Sequence, residues 1–380
     1  MNAAIIHNHP IHYQHLLFAE LARQGLEFEV LYTASRSACR IETPAAASGP
    51  YAARIGFEGG YEDAPAAGAA RFVWSSLSVL APRVVLISGY CDAAAWTAWL
   101  WARLNRVPIL LWSESNYFDQ PRVWWKERLK RWFVTRCEAA SVYGESNRDY
   151  LVWLGMPPHR IETGRICLDT SLFSRALSRA RPRHKILLYV GRFSPEKNLP
   201  ALIRAFAQIK QNPAEPELVL ALAGYGPQER ELRQLVAAEG LTETVQFLGP
   251  AKQRELPRIY RNADALVLPS LRETWGIVAA EAMACGLPVL VSRQCGCARD
   301  LVFPNTGWTF SPGDRASLVS ALRRIAGSPR EILDAMGDCA AAVAARYSPE
   351  ECARPILARI QTLLTAPQPA RRSCCPQAGA

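Results

Sequence analysis

Short runs of consecutive apolar residues, each followed by a segment of helical length, constrain this chain more than any other feature of its sequence. One such unit reads as a buried strand at 265–268, a polar loop, a helix at 276–285 and a second buried strand at 287–292. Gly286 is suited to end that helix, because glycine readily adopts the backbone conformation of a helix C-terminus. Strands that alternate with helices form parallel sheets covered by helices, so the sequence predicts an α/β protein.

The same alternation opens the first half of the chain. A strand at 3–6, a helix at 13–24 and a strand at 27–32 indicate a Rossmann-like βαβ unit. That unit lacks the G-x-G-x-x-G fingerprint, which argues against a bound dinucleotide. The residues 33–71 are rich in Ala, Gly and Pro, show little periodicity and predict a long loop region.

A length of 380 residues is typical of two domains of ordinary size. The basic segment 175–185 has the character of a linker, so we predict an N-terminal domain at 1–174 and a C-terminal domain at 175–348. A last helix follows at 349–365. The residues 366–380, with Pro, Ala and paired Arg and Cys, predict a disordered tail.

The net charge of +10 arises from 44 Lys and Arg residues against 34 Asp and Glu residues. Such a charge suits phosphorylated ligands, anionic lipid surfaces or nucleic acid, and does not choose among them. The N-terminus has no basic segment followed by a long apolar one, and the most apolar run, 93–101, is far shorter than the ~20 residues of a bilayer span. The 11 cysteines show no zinc-finger spacing. We therefore expect a cytoplasmic protein with reduced thiols.

Two glutamates, Glu273 and Glu281, lie in the loop and on the helix of the unit described first. In parallel α/β sheets, anions and sugars are held by the loop after a strand together with the start of the following helix. A carboxylate accepts hydrogen bonds from vicinal hydroxyls, and Gly276 lets the backbone approach a ligand closely. On this spacing alone, two solvated glutamates near a helix start remain the alternative.

A second loop, 191–199, follows a predicted strand at 186–190 and precedes a helix. Its Arg192 and Lys197 place two cations at the start of that helix, whose N-terminal amides also favour anions. The loop therefore predicts a diphosphate site. Ordinary surface charge is the alternative if the loop is considered by itself.

Four of the six histidines lie within nine residues of one another: His7, His9, His12 and His15. No carboxylate or cysteine with metal-ligand spacing accompanies them, so we do not predict a metal site. Loop histidines more often bond a substrate or one another. Glu114 follows another predicted strand, where it would either touch a substrate or cap a helix.

The segment 121–136 carries six Lys and Arg residues against Glu127 as its one acidic residue. Large apolar side chains fall on one face of the predicted helix: Trp125, Leu129, Trp132 and Phe133. A basic helix with interfacial aromatic residues is typical of a membrane-surface element. A helix packed on the sheet, with a solvated basic face, is the alternative.

The residues from Glu273 to Glu281 resemble the E-x7-E signature of retaining family 4 glycosyltransferases. The surrounding P-S-L-R-E-T-W-G-I-V-A-A-E-A-M-A-C-G-L-P-V is similar nearly position by position, with Trp275 where phenylalanine is commoner. The G-R-x-x-x-x-K-N loop and the G-Y-G-P turn at 224–227 are similar to family motifs as well. The resemblance covers nearly the whole chain and is most specific in residues 186–312.

This resemblance implies a GT-B fold, in which two Rossmann-like domains face a central cleft and the last helix crosses back to the N-terminal domain. It implies transfer of a sugar from a nucleotide-diphosphate sugar to a hydroxyl of a glycan or lipid-linked acceptor, with retention at the anomeric carbon. Cell-envelope polysaccharide, lipopolysaccharide or glycolipid synthesis is the implied setting. The segment 121–136 would then contact anionic lipid at the inner face of the cell membrane.

By the same resemblance, Arg192 and Lys197 stabilise the leaving diphosphate, a role that a metal ion has in other glycosyltransferases. A metal-independent reaction is expected, since the chain contains no D-x-D pair. Glu273 would hold the hydroxyls of the donor sugar and Glu281 the ribose. The remaining implied site residues are Gly191, Trp275, Gly276 and Ile277 for the donor, and His9, His12 and Glu114 for the acceptor.

Two other functions are considered. Another GT-B nucleotide-sugar enzyme, such as an epimerase, would need the donor site but no acceptor. A basic protein that binds nucleic acid or anionic surfaces would explain the charge, but not the diphosphate loop. We therefore expect no nucleic-acid partner.

Overall fold

The structure is a computed structural model that describes residues 1–37, 49–164, 166–174, 184–211 and 218–365. Within these ranges the chain forms two parallel sheets, one of seven strands and one of six. The predicted tail at 366–380 and most of the predicted linker at 175–185 lie outside the described residues.

The first sheet is built from short and mostly continuous apolar strands. They are β1 (Ala3–His7), β2 (Phe28–Tyr32), β3 (Ala52–Ile55), β4 (Val84–Ser88), β5 (Ile109–Ser113), β6 (Ala139–Val142) and β7 (Ile161–Glu162). Their order is β3-β2-β1-β4-β5-β6-β7, with parallel neighbours throughout. Apolar residues fill both faces of a parallel sheet covered by helices, which explains the lack of alternation in the central strands.

Helices connect these strands and cover the sheet. They are α1 (His12–Arg23), α2 (Ala66–Leu80), α3 (Ala93–Leu104), α4 (Trp124–Val134) and α5 (Glu145–Trp153), with 3₁₀ turns at Tyr61–Asp63 and Pro158–Arg160. The side chains of α2, α3, α4 and α5 share one buried cluster with one face of the sheet. Helix α1 packs on the other face.

The prediction of a long loop at 33–71 was wrong. Strand β3 and the start of α2 lie inside that segment. Strand β3 is an edge strand whose residues are alternately exposed and half-buried, so it lacks a continuous apolar run. Helix α2 begins with Ala and Gly and buries few side chains, which leaves a weak helical period in the sequence.

The second sheet contains mostly buried strands, with a partly exposed strand β10 at one edge. They are β8 (Lys185–Val190), β9 (Leu218–Ala223), β10 (Val245–Gly249), β11 (Ala265–Leu268), β12 (Val289–Ser292) and β13 (Gly307–Phe310). Their order is β10-β9-β8-β11-β12-β13. The helices are α6 (Leu199–Lys210), α7 (Glu229–Ala238), α8 (Leu256–Arg261), α9 (Ile277–Ala284), α10 (Ala298–Leu301), α11 (Arg315–Gly327), α12 (Arg330–Ala344) and α13 (Pro349–Thr365), with 3₁₀ turns at Pro195–Lys197 and Ala345–Tyr347.

The last helix, α13, returns to the N-terminal sheet. Its Ile356 and Ile360 are fully buried in the same apolar cluster as Leu17 and Leu21 of α1. The last described helix therefore packs against the N-terminal domain.

The strand order determines where a ligand site can form. In the second sheet the chain runs outward from β8 to β10 on one side, and then from β11 to β13 on the other. The loops that follow β8 and β11 therefore leave the sheet side by side and in opposite directions. A crevice at such a switch point, outside the carboxyl ends of the strands, is the usual ligand site of an open α/β sheet.

Candidate active site

Lys197 and Glu273 form an ion pair at this switch point. The Lys197 ammonium lies 2.5 Å from Oε2 of Glu273, and the two side chains are 18% and 14% exposed. Ser270, which is fully buried, points its hydroxyl at the same carboxylate oxygen at 3.4 Å. One predicted cation and one predicted carboxylate thus meet, although Lys197 and Glu273 are 76 residues apart in sequence.

Local chemistry fixes the loop that carries Lys197. The 3₁₀ turn Pro195–Lys197 ends at Asn198, whose φ of 56° reverses the chain before α6 begins. The Asn198 amide donates to the carbonyl of Pro269 at 3.3 Å. The amide of Leu271 donates to the carbonyl of Glu196 at 2.8 Å. These bonds join the loop after β8 to the loop after β11. The two loops that carry Lys197 and Glu273 are therefore fixed relative to each other.

A cavity of about 470 Å³ opens beside the ion pair. Six of the predicted donor-site residues line it: Gly191, Arg192, Lys197, Glu273, Gly276 and Ile277. The wall also includes residues that the sequence reasoning had not assigned to the site: Val190, Ala223, Gly224, Tyr225, Ala251, Gln253, Leu256, Leu268 and Val278. The described residues of the wall all belong to the strands, loops and helices of the C-terminal domain.

The glycine turn after β9 explains part of the cavity's shape. A Cβ atom on Gly224 would lie 1.8 Å from the carbonyl oxygen of Gly191, and the φ of Gly224 is +149°. Only glycine lets these two loops approach so closely. The G-x-G-P motif therefore does more than turn the chain, because it places Gly224 and Tyr225 on the cavity wall.

Within the described residues, neither Trp275 nor Glu281 borders this cavity. Trp275 is fully buried and donates its indole N–H to Asp300 at 2.7 Å. Glu281 is 4% exposed and accepts a hydrogen bond of 2.7 Å from the hydroxyl of Tyr260. Burial raises the pKa of Glu281 to about 7, and the Tyr260 hydroxyl and the charge of His12 offset only part of that rise.

The three predicted acceptor residues do not form one cluster. His12, at the start of α1, lies 3.3 Å from the carboxylate of Asp169, and this hydrogen bond lowers the pKa of Asp169 to about 2. The carboxylate of Glu114 accepts a hydrogen bond from the Tyr143 hydroxyl. His9 is buried elsewhere in the N-terminal domain, with its ring 6.1 Å from that of Tyr61.

A second cavity of about 310 Å³ lies on the other side of the ion pair. Both domains contribute to its wall, which consists of Asp119, Gln120, Glu196, Lys197, Arg272, Glu273 and Thr274. As far as the chain is described, His9, His12 and Glu114 are not part of that wall. Asp119 and Gln120 follow β5, and the position of this loop at a strand end was the sequence signal that could have identified them.

The four clustered histidines make separate contacts. His7 bonds the carbonyl of His9 at 3.0 Å, and His15 bonds the hydroxyl of Tyr51 at 2.8 Å. Within the described ranges, no three His, Cys, Asp or Glu side chains are grouped in a way that would hold a metal ion. Metal independence stays a prediction for the reaction.

Helix α4 exposes most of its aromatic and basic side chains. Trp124 and Trp125 are 75% and 52% exposed, whereas Phe133 is fully buried against the sheet. Two basic side chains of the segment 121–136 bond other residues of the N-terminal domain. Lys130 bonds the buried Glu127 at 2.8 Å, and Arg122, which precedes α4, donates to the Tyr150 hydroxyl at 2.6 Å. None of the helices in the described part of the chain combines the length and apolar composition that a bilayer crossing requires.

Two parallel Rossmann-like sheets with a ligand-sized cavity at the switch point of the second sheet define a GT-B protein. Solved structures share this arrangement over nearly the whole chain. A sucrose-phosphate synthase from Thermosynechococcus elongatus has a TM-score of 0.76, covers 97% of this chain and 100% of its own, and is 20% identical. The Anabaena protein HepE in complex with UDP has a TM-score of 0.74, covers 95% and 100%, and is 16% identical. The predicted GT-B fold is confirmed.

Residues 173–341 match the family described as Glycosyl transferases group 1. The match lies in the C-terminal domain, where the sequence motifs resemble this family most specifically. A D-inositol 3-phosphate glycosyltransferase 2 from Catenulispora acidiphila is 33% identical over 208 residues, which are 51% of this chain and 48% of that protein. The chain spans about half the length of the curated relatives that it matches.

Proposed function

We propose that this protein is a glycosyltransferase that moves a sugar from a nucleotide-diphosphate sugar to a hydroxyl group of an acceptor. The observation that carries the proposal is the ion pair of Lys197 and Glu273, which forms a common wall of two cavities. One cavity is built by the domain that matches the glycosyltransferase family, and the other lies between the domains. A donor and an acceptor could thus meet at the pair.

The hard step in such a reaction is the departure of the nucleoside diphosphate. The bond between the anomeric carbon and the diphosphate oxygen breaks, and its electron pair stays on that oxygen. The acceptor oxygen bonds to the anomeric carbon, and its proton passes to the departing diphosphate oxygen. Arg192 and Lys197 stabilise the developing charge of the diphosphate in this proposal, which is supported by the position of both residues on the wall of the donor cavity. This role supports metal-independent transfer.

Glu273 is assigned to the hydroxyls of the donor sugar, since its carboxylate lies between the two cavities. Retention at the anomeric carbon is proposed from the similarity of its loop to the E-x7-E signature. Glu281 remains the predicted ribose ligand, although its carboxylate is bonded to Tyr260 in this structure. Ile277 and Gly276 support this placement of the donor, because both line the donor cavity.

The second cavity suits a polyhydroxyl acceptor. Asp119, Gln120 and Glu196 supply carboxylates and an amide, which bond sugar hydroxyls well. We assign the acceptor to a glycan or a lipid-linked glycan of cell-envelope polysaccharide, lipopolysaccharide or glycolipid synthesis. His9, His12 and Glu114 remain predicted to border the acceptor cleft. An acceptor cavity favours a transferase over an epimerase, which would need no acceptor.

Contact with anionic membrane through residues 121–136 is part of the proposal. It is supported by the exposed Trp124 and Trp125, and by the exposed basic side chains of Lys126, Arg128 and Arg131 on the same helix. A protein bound in this way would act at the inner face of the cell membrane, in agreement with the predicted cytoplasmic location.

Calorimetry or thermal shift against UDP-, GDP-, ADP- and TDP-sugars, with and without EDTA, tests the proposed function. We expect one nucleotide to stabilise the protein equally in both conditions. Absence of binding to every donor would refute the assignment as a transferase, and loss of binding in EDTA would refute the metal-free mechanism. Salt-sensitive DNA binding in place of donor binding would instead favour the nucleic-acid alternative.

A further inference from the structure

Two buried asparagines of the N-terminal domain hydrogen-bond the main chain of the loop that carries Glu273. The amide of Asn116 donates to the carbonyl of Glu273 at 2.7 Å and to that of Thr274 at 3.0 Å. The amide of Asn147 donates to the carbonyl of Thr274 at 3.3 Å. Both side chains are almost completely inaccessible to solvent. The loop is therefore held from across the domain boundary.

The surrounding hydrogen bonds fix the orientation of both amides. The side-chain oxygen of Asn116 accepts from the amide of Phe118 at 2.7 Å, and that of Asn147 accepts from the amide of Gly144 at 3.1 Å. With both oxygens engaged in this way, the NH₂ groups must face the carbonyls. Asn147 also donates to the carbonyl of Glu114 at 2.7 Å. An amide is needed, because a carboxylate at either position would face carbonyl oxygens.

The segment that carries Asn116 is itself anchored. The Arg122 guanidinium donates to the carbonyls of Asn116 and Tyr117 and to the carboxylate of Asp119. It also lies 4.4 Å above the ring of Tyr150 on α5. Asn116 thus projects from a segment that is tied to the helices of its own domain, so its position depends on the placement of that domain.

The two sides of the site therefore depend on different parts of the chain. The described wall of the donor cavity belongs to the C-terminal domain. The main chain at Glu273 is bonded from both domains, because its carbonyl accepts from Asn116 and also from the amide of Gly296 at 3.2 Å. The carbonyl of Thr274 accepts from Asn116 and Asn147 of the N-terminal domain. Nucleotide binding should require only the first domain. Placement of the Glu273 loop beside the acceptor should require both domains in contact.

We propose that Asn116 and Asn147 are positioning residues, which hold the Glu273 loop in its reactive place only while the two domains are in contact. This inference rests on the proposed transfer reaction. It predicts that the asparagines affect turnover and leave nucleotide affinity nearly unchanged. Interface packing without a role in the reaction is the alternative that an experiment must distinguish.

The variants Asn116→Asp and Asn147→Asp test the proposal, because the introduced carboxyl keeps the shape of the amide. Ionised, it repels the carbonyl oxygens of Glu273 and Thr274; protonated, it can donate to them. Asn105→Asp is the matched control, since the Asn105 amide donates at 2.9 Å to a carbonyl within its own helix. The charged residues near the two positions are the same in wild type and variants, so activity is expressed relative to wild type at each pH. They are Asp119 and Arg122 beside Asn116, Glu114, Glu145 and Asp300 near Asn147, and Lys197 and Glu273 across the boundary.

We expect each variant to lower kcat at least about tenfold near pH 8, while the Kd for the nucleotide selected from UDP, GDP, ADP and TDP changes by less than about threefold. The loss should recover as the pH falls towards about 6, where a carboxyl buried among carbonyls becomes protonated. Asn105→Asp should match wild type throughout. Small-angle X-ray scattering without ligand should show the double variant expanded at pH 8, and as compact as wild type at the lower pH.

Unchanged kcat and unchanged scattering in the double variant would overturn the inference. Equal loss of nucleotide affinity and turnover, without recovery at low pH, would also overturn it, because that result indicates general damage to the interface. The scattering measurement needs no donor, so it still tests the asparagines if the proposed function fails.

Discussion

The Lys197 ammonium lies 2.5 Å from the Glu273 carboxylate, and this pair separates a cavity of about 470 Å³ from one of about 310 Å³. Charge on either residue therefore influences both cavities. In this structure each partner satisfies the other. A diphosphate beside Lys197 and sugar hydroxyls beside Glu273 would replace that bond by two new sets of contacts.

Lys197→Ala should lower kcat/KM for the nucleotide sugar by at least about an order of magnitude, because a cation that stabilises the leaving diphosphate is lost. Steady-state kinetics with the donor found in the nucleotide panel measure the effect. Lys210→Ala, at the end of α6 and outside both cavity walls, is the matched control. Wild-type kinetics in Lys197→Ala, with an intact circular-dichroism spectrum, would rule out the assigned role.

Glu281→Gln should remove a pH dependence of stability. The pKa of Glu281 is raised from 4.5 to about 7, so the folded state keeps a proton that the unfolded state releases between these values. Wild-type stability should fall as the pH rises through that window, and above pH 7 the cost reaches about 3 kcal/mol. Glutamine has no such cost.

Denaturant unfolding at several pH values checks this prediction. The stability difference between Glu281→Gln and wild type should be small below pH 4.5 and grow in favour of the variant up to about pH 7. Glu231→Gln, at an exposed position on α7, is the control. If the stability difference stays constant with pH, the pKa of Glu281 is not raised in the folded state.

Gly224→Ala should destabilise the protein by at least about 2 kcal/mol, because the new Cβ would lie 1.8 Å from the Gly191 carbonyl oxygen at a φ that suits glycine. The two loops would have to separate, so nucleotide affinity should fall as well. Gly327→Ala, at the end of α11 with open space around its Cβ, should change stability by less than about 0.5 kcal/mol. Thermal unfolding and nucleotide titration of both variants decide the matter, and equal stability would contradict the close approach of the loops.

Trp124→Ala combined with Trp125→Ala should weaken binding to vesicles that contain phosphatidylglycerol, since these exposed rings would enter the lipid interface. Binding should also weaken in high salt, and should be absent with phosphatidylcholine alone. Co-sedimentation with vesicles measures it. Arg323→Glu combined with Arg324→Glu, on α11 of the other domain, controls for net charge. Equal binding of the tryptophan variant and wild type would exclude the proposed face.

The sequence predicted the class of the fold and six of the residues that line the larger cavity, because both depend on local patterns. Consecutive apolar residues indicated the buried strands, and glycine and proline marked the turns between them. Arg192, Lys197 and Glu273 stand at strand ends, where a parallel sheet holds its ligands. The family motifs added the chemistry of a nucleotide sugar.

Other features of the structure could not be predicted from local sequence patterns. Strand β3 has no apolar run of its own, because it lies at the edge of the sheet. The motif predicted Glu281 at the ribose, but the burial of its carboxylate against Tyr260 could not be read from the sequence. No sequence pattern near Asn116 or Asn147 predicts a hydrogen bond to a loop about 127 to 158 residues away.

The sequence by itself determined most of the strands, helices and charged loops, since these depend on neighbours within a few residues. Only the tertiary structure decided that Lys197 meets Glu273 and that Asn116 reaches the same loop. The pairing of β8 with β11 brings the first two together, and the contact between the domains supplies the third. Strand order and domain contact are set by packing over the whole chain, so no local pattern encodes them.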